Sequence, residues 1–154
     1  MDANTGSFRG ATMIIEILHV LATLMIGLYA GSLLTEAAIL VPYWRQMDPA
    51  EFFKLHGTLG PKLFKYFAPL TSLTVGISVI AAIYGNPWKI TAAGLCCTAL
   101  VIFFLYFKKA NASFAAHSLK EKDLAAELNR WSNWHWLRTW IIIGALASSV
   151  IGQA

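Results

Sequence analysis

A chain of 154 residues that is 57% hydrophobic and 13% charged is poor in charge for a soluble domain, which carries about 25%. Its mean hydropathy of +0.58 points to lipid as the solvent. The net charge of +4 does not indicate a nucleic-acid partner, because the cations lie in short stretches between apolar runs, where membrane topology and anionic headgroups account for them.

Runs of about 20 mostly apolar residues are what a bilayer-spanning helix requires. Four of them predict an all-α protein, an integral membrane four-helix bundle in a single domain over residues 1–154. Residues 1–13 are mostly polar or small. The run after them is too long for a signal core and lacks a small-residue cleavage site, so it reads as a first span and not as a signal peptide. Span one covers about residues 14–40, with Gly27 and Gly31 in a GxxxG that fits helix packing within one chain or a homo-oligomer. Pro42 is expected to end it. Tyr43, Trp44 and Arg45 then read as interfacial anchors.

Asp48-Pro49-Ala50-Glu51 is a helix start, with Asp48 as N-cap and Pro49 in the first position. It predicts a short interfacial helix through about His56, broken by Gly57 and Gly60-Pro61. Span two follows over about 62–84. Gly85-Asn86-Pro87 is a turn, after which Trp88 and Lys89 anchor span three, about 88–107. Cys96 and Cys97 are adjacent, cannot form an ordinary disulfide, and read as packing residues. From Ala110 to Leu128 there is no Gly or Pro, so extended helices are expected around the third loop. Span four covers about 131–151.

The first loop carries Arg45, Lys54, Lys62 and Lys65. The third carries Lys108, Lys109, Lys120, Lys122, Arg130 and Arg138. Only Arg9 and Lys89 lie on the other side. The positive-inside rule then puts both termini outside the cytoplasm, as in a bacterial inner-membrane protein. It also puts Glu36, His56, His117 and His135 near the cytoplasmic face. His19, close to Glu16, faces the other way.

An intramembrane carboxylate is costly and marks a functional site by default. Tyr29, Ser32, Glu36 and Tyr43 fall along one helical face, making Glu36 a base or ligand and Tyr43 a substrate contact. Trp131, His135 and Arg138 also share a face. His135 and Arg138 can act as base and anion-holding cation, and Trp131 can wall the substrate. The alternative readings are an interfacial carboxylate paired with a loop lysine for Glu36 and an aromatic belt with a snorkelling arginine for the span-four residues. His117 and Glu121 have the i, i+4 spacing of metal ligands. Together Glu36, His56, His117 and His135 supply nitrogen and carboxylate donors that suit zinc, copper or non-haem iron.

Asn111-Ala112-Ser113-Phe114 after span three, Trp131, His135, Arg138 and Thr139 opening span four, and Gly27, Gly31 and Pro42 in and after span one together resemble the anthrone-oxygenase-like family of small four-span membrane proteins. The resemblance implies oxidation of a small aromatic molecule by O₂, in several members without a cofactor, and makes Asn111 a hydrogen-bonding positioner beside His135 and Arg138. The expectation is therefore a membrane-embedded oxidoreductase, a monooxygenase with copper or iron or with no cofactor at all. The competing readings are a non-catalytic small membrane subunit associating through Gly27 and Gly31, and a metal-binding or transport protein.

Overall fold

In a computed structural model, which describes residues 3–153, the chain is all helical, with no strand among the described residues. α1 (Ala3–Thr35) passes through a π-helical segment, Glu36–Leu40, into the short α2 (Val41–Trp44). α3 spans Pro49–Ile83. α4 (Pro87–Ile102) passes through a second π-helical segment, Phe103–Phe107, into α5 (Lys108–Ala115). α6 spans Glu121–Ile151. α1 and α4 each pack against both α3 and α6.

Three of these rods, Arg9–Trp44, Pro49–Ile83 and Pro87–Ala115, are long and apolar enough to cross a membrane. Their outward faces carry Leu24, Leu28, Phe104 and Leu105 in the open, the kind of exposed apolar surface that suits lipid. α6, expected to supply a fourth span, is not among the three. His135, Arg138 and its tryptophans dilute its hydropathy, and its charged first turns add to this.

The structure revises several expected boundaries. Pro42 does not end the first rod. A proline ring crowds the carbonyl four residues back, here Ala38, which lies in the wider π-helical turn. The short interfacial helix is not separate either, because α3 runs unbroken through Gly57, Gly60 and Pro61. Glycine costs a helix only about 1 kcal/mol relative to alanine, and Phe52, Phe53 and His56 bury their side chains in that stretch. The Asp48 side chain accepts from the Ala50 N–H at 2.9 Å, fixing the helix start as expected. The stretch from Ala110 to Leu128, in contrast, is broken between α5 and α6. His117 sits there at φ 50°, a left-handed conformation that non-glycine residues rarely adopt.

Two clusters form the core. One, near the α2, α5 and early α6 end, gathers Trp44, Phe52, Phe107, Phe114, Leu128 and Trp131. The other gathers Ile26, Tyr29, Leu33, Cys96, Ile142 and Ala145. Glu36 and the His135–Arg138 turn lie at the seam between them. Gly27 makes only ordinary contact with Leu146, and Gly31 meets nothing within 4 Å. The GxxxG therefore does not draw two helices of this chain together.

Lys89 is not an interfacial anchor. It is buried, and its Nζ donates to the Ser149 carbonyl at 2.8 Å, satisfying one of the carbonyls that a helix C-terminus leaves open. Asn86 caps α4 through the Trp88 and Lys89 N–H groups and donates to the Gly152 carbonyl. Gly85 makes this junction fit. A Cβ there would lie 2.6 Å from the Lys89 Cβ and 3.0 Å from the Ala81 carbonyl oxygen. Gly85→Ala is expected to destabilise the protein by about 1–3 kcal/mol, the usual cost of overpacking. A lowered thermal midpoint in detergent checks it, and an unchanged midpoint would show that Lys89 moves freely.

Candidate functional site

Three side chains that sequence reasoning singled out meet in the interior. Glu36 begins the first π-helical segment, and His135 and Arg138 lie one turn apart on α6. His135 is fully buried, and Glu36 and Arg138 are each 6% exposed. Arg138 Nη2 donates to His135 Nδ1 at 2.9 Å. A guanidinium can only donate, so Nδ1 accepts and carries no hydrogen. Nε2 therefore bears the ring hydrogen and donates it to the Leu33 carbonyl at 3.0 Å. His135 is thus a neutral imidazole with both nitrogens engaged. It is held as a spacer between α1 and Arg138 and is not free to act as a base.

Glu36 has the opposite character. Its Oε2 stands 3.7 Å from His135 Nε2 and 3.9 Å from Arg138 Nη2, distances of ionic attraction beyond ordinary hydrogen bonding. It is the one group of the three with unused acceptor capacity. Arg138 is equally incomplete, for its Nε is buried with no hydrogen-bond partner. Its guanidinium lies over the Phe107 ring at 4.1 Å to the centroid, a cation–π arrangement. Thr139 completes the turn by donating to the His135 carbonyl at 2.8 Å.

Both π-helical segments face this turn of α6. The first delivers Glu36. The second delivers Phe107, which touches Trp131 at 5.2 Å, His135 at 6.1 Å and Arg138. π-helical insertions in α-helices are frequent at functional sites because the extra residue re-aims a side chain. Phe107 was not singled out from the sequence. A phenylalanine in an apolar run carries no signal there, and only the π-helical phase turns it inward.

The other predicted residues divide. Trp131 stacks on His135 at 4.8 Å with 13° between the planes. Its Nε1 donates to Asn111 Oδ1 at 2.9 Å. Asn111 is exposed, so the pair links the surface to the buried centre. Tyr43 is 60% exposed and far from the position the helical spacing predicted. The seven-residue step from Glu36 crosses the π-helical segment, which rotates everything beyond it. Tyr29 stays buried, and Ser32 shares a hydrogen bond with the Tyr66 hydroxyl at 2.8 Å. Trp44, expected at the interface, is instead buried edge-on against His56 at 4.7 Å and Trp131 at 6.0 Å.

His56 and His117 do not join Glu36 and His135. His56 stacks on Phe52 at 3.9 Å and bonds the Phe52 carbonyl through Nδ1 at 3.1 Å. His117 Nε2 bonds the Phe53 carbonyl at 2.8 Å, in an open groove of about 590 Å³ that Lys120 and Glu121 also line. The four-ligand set expected for copper or iron is therefore not assembled, and no group of three or more His, Cys, Asp or Glu stands ready for a metal among the described residues. His19, at the other end, bonds the Ala81 carbonyl at 3.1 Å.

Compared with family profiles, characterised proteins and solved structures, the chain matches none of them.

Proposed function

We propose that this protein is a membrane-embedded oxidoreductase of oxygenase type, acting on a small apolar molecule that carries an acidic C–H or O–H. The reading includes a four-helix bundle in a bacterial inner membrane, with the centre toward the cytoplasmic side. Nine exposed cations flank the α2–α3 and α5–α6 connections, while Arg9 is the exposed cation at the other end, which supports that orientation. The resemblance to the anthrone-oxygenase-like proteins supports the reaction class, and five of the residues that carry it, Asn111, Trp131, His135, Arg138 and Thr139, lie side by side.

One observation carries the proposal: Arg138 is buried beside a carboxylate with open acceptor capacity, yet its own Nε is unpaired. A buried donor without a partner costs about 1–3 kcal/mol. A site kept in that state is matched to an acceptor that arrives with the substrate. Glu36 takes the proton as general base. Arg138 holds the resulting anion in a dry, preorganised setting, with its plane set by Phe107 and His135. The anion then passes electrons to O₂, one oxygen atom entering the substrate as a carbonyl and the other leaving as water.

An oxygen electrode tests this directly. Detergent-purified protein supplied with a hydroxylated tricyclic aromatic bearing an acidic methylene is expected to take up one O₂ per carbonyl formed. No uptake above the protein-free rate sinks the proposal.

A further inference from the structure

A line of aromatic rings leaves the buried centre, in which the oxidisable Trp131, Tyr106 and Trp134 are bridged by Phe107, and its Tyr106–Trp134 end is not used by the acid–base chemistry. It starts at Trp131, stacked on His135. Trp131 meets Phe107 at 5.2 Å, and Phe107 meets Tyr106 at 5.2 Å. Tyr106 stacks on Trp134 at 5.7 Å with 26° between the planes. Trp134 is 39% exposed, so the line reaches the surface. The Tyr106 hydroxyl donates to Glu127 Oε1 at 2.8 Å, and Glu127 Oε2 is held 3.5 Å from Arg130. Packing of two aromatic rings explains the Tyr106–Trp134 stack. It does not call for a carboxylate on the phenol. Among the described residues, Tyr106 is the one tyrosine whose hydroxyl meets such an acceptor.

A phenol that loses an electron becomes a strong acid and must shed its proton. A carboxylate already accepting that hydrogen makes the two losses concerted. We propose that Tyr106 and Glu127 form a proton-coupled redox pair that discharges an oxygen-derived radical at the Glu36–His135–Arg138 centre. This rests on the oxygen-reducing reading above. The radical gains one electron through Trp131 and Phe107 and becomes an anion. Tyr106 becomes a neutral tyrosyl radical, and its proton passes to Glu127. One electron from a thiolate at Trp134, which leaves as a thiyl radical, with the proton returned by Glu127, restores the resting pair.

The test uses whole protein in detergent and a photogenerated ruthenium(III) polypyridyl oxidant, so that it does not depend on turnover. Electron paramagnetic resonance is expected to show a neutral tyrosyl signal that is lost in Tyr106→Phe. It is also expected to be lost in Glu127→Gln, which keeps the tyrosine. A tyrosyl signal unchanged by Tyr106→Phe, residing on exposed Tyr43 or Tyr84, overturns the pair. During oxygen uptake, Tyr106→Phe is expected to keep the initial rate but to inactivate after several-fold fewer turnovers. An unchanged lifetime overturns its link to the centre. Wild-type protein that takes up no oxygen overturns the functional reading, and the radical measurement then decides the redox pair by itself.

Discussion

Glu36→Gln is expected to lower turnover by about 100- to 10,000-fold, the usual contribution of a positioned general base, while the protein stays folded. Glutamine has the size of the native side chain and keeps one carbonyl oxygen toward His135 and Arg138, so neither neighbour loses its packing. What it loses is the ability to take a proton, together with the negative charge that faces Arg138, so a lowered thermal midpoint is expected beside the lost turnover. The structure makes this the sharpest catalytic test because His135 is already committed. Its Nδ1 accepts from Arg138 and its Nε2 donates to Leu33. His135→Ala would also stop turnover, but it would open a cavity in a fully buried position and strand two hydrogen-bonding partners, so loss of activity there confounds chemistry with folding. Oxygen uptake and the thermal midpoint, measured on the same preparation, separate the two for Glu36. A Gln variant that retains turnover within a few-fold of wild type would remove Glu36 from the mechanism.

The all-helical architecture was legible in the sequence because apolar run length is a direct physical signal. Three of the helices meet that criterion here. Glu36 was legible for a related reason: a carboxylate inside an apolar run is costly. His135 and Arg138 were legible from their shared helix face, although Arg138, counted by position among the loop cations, is buried. What could not be read was phase. Sequence spacing assumes 3.6 residues per turn, and the two π-helical segments break that assumption at the places where Glu36 and Phe107 turn inward. Tyr43 was placed on the Glu36 face and lies outside. Phe107 was passed over and lies under the guanidinium. Polarity also misled at the helix ends. Trp44 and Lys89 resemble interfacial anchors by position, yet both are buried, because a tryptophan can serve as core and a lysine can cap a neighbouring helix. The histidines were harder still. His56 bonds a backbone carbonyl of its own turn and His117 bonds the Phe53 carbonyl across on α3, uses that ligand spacing cannot distinguish from metal binding.

Arg138→Met is expected to cost about 3–5 kcal/mol of stability, the usual result of removing one partner from a buried charge pair. Three losses coincide at this residue. Glu36 loses its one permanently charged partner among the described residues, at 3.9 Å. His135 Nδ1 loses its donor, and a buried acceptor left open carries its own penalty. Phe107 loses the guanidinium over its ring, worth about 0.5–2 kcal/mol. Methionine fills much of the volume, so the change reads electrostatics more than cavity formation. Arg138→Lys is not a rescue, since a compact ammonium cannot reproduce the flat fork that bonds His135 while lying on Phe107. The decisive comparison is the double variant Glu36→Leu, Arg138→Met. If the pair is held for chemistry, an apolar replacement of both charges should recover much of the lost stability, because well-packed apolar residues often equal or exceed a buried ion pair. Turnover should stay absent. Thermal unfolding of the two single variants and the double variant in one detergent gives the coupling between the sites. Strictly additive losses would mean that Glu36 and Arg138 do not act on each other, and the acid–base centre would have to be drawn without the arginine.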